Sequence, residues 1–220
     1  MAKRMELPNG AKVHTALELS APVTVTAISN ANPAVVTADS HGLTAGDYVI
    51  ISSAWCELDG KAFRVGVTDV DTFTLIGADT TDTTDYSPGG GAGSFQAVES
   101  WTEVPCVTET NLTGGEAQWT EVACLQEQST TRLFNGFSPI DWQMSVTDLD
   151  GNPAIERYEA VTKTQEPTVT RITLKSGKVK LYPGVHIISP DSTMTRGEVM
   201  VRTLNIAVTD ITKYLSLIHI

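Results

Sequence analysis

The chain has 220 residues and a mass of 23.6 kDa, room for one large domain or two small ones. Its 41% hydrophobic content supports a real core and argues against disorder, while 6% aromatic and 19% charged residues favour many short strands over long charged helices. Fifteen Lys and Arg against 26 Asp and Glu leave a net charge of −11, which excludes a basic stripe for gripping phosphates, although an acidic wall can still let nucleic acid slide past.

Met1–Glu6 is basic with no apolar stretch behind it, so no signal peptide is expected. No apolar run approaches the roughly 20 residues of a membrane-spanning helix. Residues 3–19 read as a hairpin around Pro8-Asn9-Gly10, where Asn or Gly supplies the positive φ of a tight turn. Residues 23–76 read as five short strands: 23–28, 34–38, 47–52, 61–68 and 72–76. In the fourth, Phe63, Val65 and Val67 alternate on one face. Turn residues separate each pair, and five strands in so short a span predict a small barrel or sandwich.

Periodicity is lost over 77–94, where Asp79, Asp82 and Asp85 sit among threonines before a glycine run, Gly89–Gly91 and Gly93. Segment 23–94 holds nine acidic residues and two basic ones, net −7. The shift in charge and composition at its ends predicts a separate module bounded by linkers. Strands resume at 95–101, 104–109, 118–126 and 140–147, with Gln128–Ser138 as a long apolar loop. Asn152-Pro153 predicts the one helix, over about 153–164: Asn152 caps it, Pro153 suits its first turn, and Ile155, Tyr158, Val161 and Thr162 recur at helical spacing. A second hairpin spans 168–181, and a long strand over 197–209 closes the fold with both faces covered along part of its length. Leu215–Ile220 matches the in-frame translation of a transposase sequencing adapter and is set aside as an artefact.

A search for chemistry fails at each step. Cys56, Cys106 and Cys124 are odd in number and lack CxxC spacing, so free thiols in a reducing cytoplasm are expected rather than a disulfide framework or zinc site. His14, His41 and His186 read as strand or turn residues rather than bases, and no Gly-x-Ser-x-Gly elbow is present. Asp148-Leu149-Asp150-Gly151 begins like a calcium loop, but its Gly comes too early and a helix follows. Trp55, Trp101, Trp119 and Trp142 read as core or subunit-interface residues, with a sugar platform as the alternative. No catalytic, cofactor-binding or metal-binding residue is therefore expected, which favours a structural or binding protein over an enzyme.

Two resemblances sharpen this. Val25–Thr37 with its Asn32-Pro33, then His41–Asp47 and Asp71-Thr72-Phe73-Thr74-Leu75, resemble a small β module found in bacteriophage virion proteins. Asn9–Val13, Thr113–Glu116, Arg171–Gly177 and Gly197–Met200, in that order, resemble the major tail tube proteins of long-tailed, siphovirus-type phages. That family implies a tail-tube β-sandwich or barrel with one flanking helix, built here from 1–22 and 95–214 and carrying 23–94 as an inserted five-stranded β-barrel on the outside. It implies six-copy rings, formed by sheet extension and stacked into a tube that conducts DNA without binding it. It also implies a tail location in the virion, synthesis in the host bacterial cytoplasm, no membrane, and tape measure, tail tip and tail terminator proteins as partners. On this reading the apolar residues of the 128–138 loop, with Arg132, Leu133, Phe134 and Phe137, are expected at a subunit interface. A carbohydrate- or receptor-binding β module on a phage particle is the alternative.

Overall fold

In chain order the elements are β1 (Lys12–Leu19), β2 (Val23–Val25), β3 (Ala27–Ile28), β4 (Ala34–Thr37), β5 (Tyr48–Ser53), β6 (Ala62–Thr68), β7 (Thr72–Ile76), β8 (Gly93–Glu103), β9 (Val107–Thr113), β10 (Ala117–Val122), β11 (Thr131–Phe137), β12 (Ile140–Thr147), α1 (Pro153–Thr164), β13 (Pro167–Thr173), β14 (Val179–Ile188), β15 (Val201–Val208) and β16 (Thr212–Tyr214). They belong to a computed structural model that describes residues 9–123 and 130–214. The fold is mainly β with one helix, as the sequence predicts. One antiparallel sheet runs β3-β4-β7-β6-β5-β8-β1-β13-β14-β15-β12-β9, while β10 and β11 pair separately.

The five predicted strands of the acidic segment are present, and they close into a barrel with a sixth. Residues 23–25 pair with β8 while 27–28, two residues further on, pair with β4, so one kinked strand joins the two ends of the array. The sixth strand is the first half of β8, which pairs with β2 and β5 through 93–97 and with β1 through 98–103. At eleven residues β8 is long enough to serve two bodies in succession. Alternate residues fill the barrel: Val36, Val49, Ile51, Val65, Phe73, Leu75 and Phe95 are all buried. Val67, predicted to share that face, is 76% exposed instead. A bulge between Val65 and Thr68 flips the alternation, and Val67 N–H donates to the Thr74 hydroxyl at 2.8 Å. A Cβ at Gly66 would collide with that same hydroxyl, which accounts for glycine there. The glycine run after Pro88 packs rather than hangs: Gly91 is buried, and a Cβ on it would meet Trp55 and Ile28.

The remaining strands curl around a second core. Val13 of β1 and Val107 of β9, at opposite ends of a six-strand array, pack on one cluster with Trp142, Met144, Tyr182, Leu204 and Ile206. The helix closes this interior with Ala154, Ile155, Tyr158 and Val161. Its bounds match the prediction because the signals are local. Asn152 accepts a hydrogen bond from Ala154 N–H at 2.9 Å, Pro153 opens the first turn, and Gln165 ends the helix in the left-handed region at φ 58°. Thr162 fixes it to the sheet by donating to Tyr158 O at 2.7 Å and accepting from Ile188 N–H at 3.0 Å.

A third cluster joins the two bodies. Ala16, Val169 and Leu181, on the other side of the curled sheet, pack against Ile50 and Ala62 of the barrel. The Arg171 guanidinium lies over the Trp101 ring at 4.4 Å and the Tyr48 ring at 5.4 Å, and Lys61 pairs with Asp210 at 3.6 Å.

Several sequence expectations change. The predicted 3–19 hairpin has its first half outside the described residues, and β1 pairs instead with β8 and β13. The predicted 128–138 loop is β11, paired with β10. It was not legible as a strand because Leu133, Phe134 and Phe137 break strict alternation, and the ladder accommodates them with a register shift at Gln118/Trp119. The 168–181 hairpin is β13–β14 around Ser176-Gly177. On β15 only one face is buried, Arg202, Leu204, Ile206 and Val208, while Asn205 and Ala207 are exposed. Cys124 and the 215–220 tail lie outside the described residues; Cys56 and Cys106 are free and exposed.

Candidate assembly surface

The antiparallel ladder of β9 with β12 continues beyond the main sheet into that of β10 with β11. The chain crosses between them at Gly114-Gly115 and Ser138-Pro139. Gly115 N–H donates to Ser138 O at 3.1 Å, Ser138 N–H to Glu116 O at 2.9 Å, and a Cβ at Gly114 would collide with Pro139 O. Both glycines have positive φ, 88° and 73°, which turns the ladder without breaking it. Residues 107–147 thus form one long hairpin: its base belongs to the sheet and its outer half stands alone as an arm.

The arm keeps large apolar side chains in water. Trp119 pairs with Phe134 and Ala117 with Phe137, so the three aromatic rings share a face. Trp119 and Phe134 meet edge-on at 5.6 Å, Phe134 and Phe137 at 5.1 Å. Arg132 extends the same face and pairs with Glu121 at 2.9 Å. Leu133, opposite Thr120, points to the other side and is also exposed. The four residues read from the sequence therefore lie on one strand but on two faces. Trp119, singled out only as one tryptophan among four, completes the aromatic face; Trp55 and Trp142 are buried.

Beside the arm, β9 is a seven-residue edge strand that pairs only with β12 among the described residues. Such edges are normally blunted by Lys, Pro or a covering element. Val107-Thr-Glu-Thr-Asn-Leu-Thr113 offers one charge and no proline.

The outer face of β9, β12 and β15 is small, polar and free of Lys and Arg. The register aligns Asn111, Gln143, Asn205 and Ile187 in one row, and Thr113, Asp141 and Ala207 in the next. Arg202 of β15 points to the opposite face, where it pairs with Glu159 and donates to Ser189 O.

The histidines are held by structure. His41 bonds Asp69 O at 2.8 Å and accepts from Leu43 N–H at 3.0 Å, which fixes a turn. His14 is half-buried opposite Arg171, and burial first, then that cation, pull its pKa below the ordinary value. His186 and Thr170 stand 2.9 Å apart, a base beside a hydroxyl, but both are wholly buried. His186 Nδ1–H donates to Gly184 O at 3.0 Å, so Nε2 accepts from Thr170. Burial holds its pKa down at about 4, with Arg157 adding to the effect. No substrate can reach this pair. Among the described residues no group of three or more His, Cys, Asp or Glu is placed to hold a metal ion.

A family model described as "Phage tail tube protein, TTP" matches residues 53–216. No curated protein matches. Among solved structures, a chain in the tail of an empty GTA particle, from helical refinement with C6 symmetry, is similar at 14% identity and a TM-score of 0.37, covering 53% of this chain and 86% of that one. A chain of the virion of a native gene transfer agent particle is similar at 13% and 0.38, covering 52% and 88%. One from the six-fold symmetrised baseplate of the anti-feeding prophage is similar at 9% and 0.38, covering 55% and 88%.

Proposed function

This chain belongs to the phage tail tube protein family, and on that premise we propose that its copies close into six-membered rings that stack into the DNA conduit of a siphovirus-type tail. Its role is structural, in the phage tail and therefore in the virion. The observation that carries the finer reading is the arm: three aromatic side chains stand more than half exposed on a two-stranded ribbon outside any core. A two-stranded hairpin is marginally stable alone, and each such side chain gains about 1.5–3 kcal/mol on burial, so a neighbouring copy is the natural cover. Arg132, Leu133, Phe134 and Phe137 are the interface residues in this reading. The unblunted β9 edge supports lateral pairing between copies, which removes open edges by closing the sheet into a ring.

The Lys- and Arg-free face of β9, β12 and β15 supports a lumen that DNA crosses without being held. The acidic module, on 23–94, lies on the outside of the tube. The tape measure, tail tip and tail terminator proteins are its partners, and it is made in the host bacterial cytoplasm before joining the tail. Negative-stain microscopy of concentrated protein supplied with tail-tip initiators tests the reading. Hollow tubes of stacked rings are expected; a population of monomers alone under those conditions overturns it.

A further inference from the structure

A second apolar patch lies at the end of the sheet opposite the arm. The arm leaves β12 at Ile140, which pairs with Val208, whereas the other end of the same ladder is Thr147 against Val201. There the connection from β14 to β15 exposes Met194 (69%), Val199 (66%) and Met200 (43%), and the turn after β12 adds Leu149 (48%). Asp148 N–H donates to Met200 O at 3.0 Å, and Thr193 bridges to Val201, so these residues form one surface rather than a loose loop.

Resting on the tube reading above, we propose that the arm of one copy docks through Trp119, Phe134 and Phe137 on the Met194–Met200 connection and Leu149 of a copy in the next ring. Two different patches on one chain, complementary to each other, make a head-to-tail contact, which must either close or propagate. Because the patches sit at opposite ends of the same strands, the contact repeats along the strand direction. The β9 edge, lateral to those strands, is left for contacts within a ring. The chemistry matches: thioether sulfurs pack favourably on aromatic rings, and unbranched Met side chains adapt to the rings they meet. The charges match as well. The arm carries Arg132 and Glu121 beside its rings, and the connection carries exposed Arg196 and Glu198 beside its methionines, so each surface offers one cation and one anion to the other.

The test uses full-length protein with Cys56→Ser, Cys106→Ser and Cys124→Ser as background, adding Phe137→Cys and Val199→Cys. After assembly on tail-tip initiators and mild oxidation, non-reducing electrophoresis is expected to give a disulfide ladder running past six chains. Single-cysteine variants should give no ladder. Visible tubes without a ladder, or a ladder that stops at the ring number, overturn the inter-ring contact while leaving the tube reading in place. Failure of the unmodified protein to form any tube overturns both. In parallel, Met194→Asp with Met200→Asp, checked for an unchanged thermal transition, is expected to leave rings that no longer stack; tubes of normal length from this folded variant also overturn the proposal.

Discussion

Trp119 and Phe134 stand opposite each other across the arm, their ring centroids 5.6 Å apart and their planes inclined by 68°, yet they remain 56% and 52% exposed. An edge-to-face pair is a favourable contact, but two strands cannot cover it. Replacing Phe134 by Asp removes this pair and the contact to Phe137 and would place a charge in a desolvated interface. The monomer should keep its fold, because neither core includes Phe134. The concentration required for assembly should rise by about tenfold or more, since 1.4 kcal/mol corresponds to one decade. Sedimentation across a dilution series reads this; an unchanged threshold removes the arm from the interface.

Arg171 links the barrel to the curled sheet by stacking on Trp101 and Tyr48, beside the cluster of Ala16, Val169, Leu181, Ile50 and Ala62. With β8 also shared, the acidic module and the sheet are expected to unfold in one cooperative transition. Arg171→Ala should lower stability by about 1–2 kcal/mol through the lost cation–π contacts and packing. Chemical denaturation followed by tryptophan fluorescence and far-UV circular dichroism measures both effects. Two separated transitions in the parent protein would show a module that folds on its own.

His186 is wholly buried between Thr170 and the Tyr158 ring, with Arg157 the cation that acts on it. The Tyr158 hydroxyl, pushed up to about 12 by burial, stays neutral throughout the acid range. Because the folded-state pKa of His186, about 4, lies below the ordinary 6.5, the unfolded chain takes up the proton first as pH falls. Stability is then fully present above about pH 6.5, declines towards pH 4 and loses no more through this group below that, by on the order of 3 kcal/mol in total. Urea titrations at stepped pH should show this decline in the parent protein and a flatter profile in His186→Gln. Identical profiles would mean that this histidine is not what titrates.

What the sequence revealed follows from how far each signal reaches. The helix was legible to the residue because Asn152, Pro153 and the spacing of Ile155, Tyr158 and Val161 act within a few positions. The barrel strands were legible because turn residues punctuate them. Val67 was misassigned because a bulge, set by the partner strand, reverses alternation without a sequence mark of its own. The dual pairing of β8 was hidden for the same reason: two sets of partners lie far away along the chain. Of the assembly surface, Leu133, Phe134 and Phe137 stood out as an apolar stretch without periodicity. Trp119 and the Met194–Met200 patch did not, because exposure is a property of the folded chain.

The row Asn111, Gln143, Asn205 and Ile187 crosses four strands of the face assigned to the lumen, and none of these side chains is charged. The module takes −7 of the net −11, so the tube body is only mildly acidic, and the sparing of DNA rests on where its cations lie as much as on the total. Each phosphate neutralised by Lys or Arg adds a binding contribution that falls with salt, at a slope of about −0.9 per contact for duplex DNA. Parent tubes are therefore expected to retain no duplex DNA at physiological salt. Gln143→Lys changes one exposed position in the middle of the row and, in a six-membered ring, adds six cations at one level of the wall. Tubes of this variant should retain DNA at low salt and release it as salt rises, while Lys substitutions on the outer module should change retention far less. Filter retention of labelled duplex across a salt series measures the slope. Duplex retention by parent tubes would sink the non-binding lumen, and Gln143→Lys tubes indistinguishable from the parent would show that this face looks elsewhere.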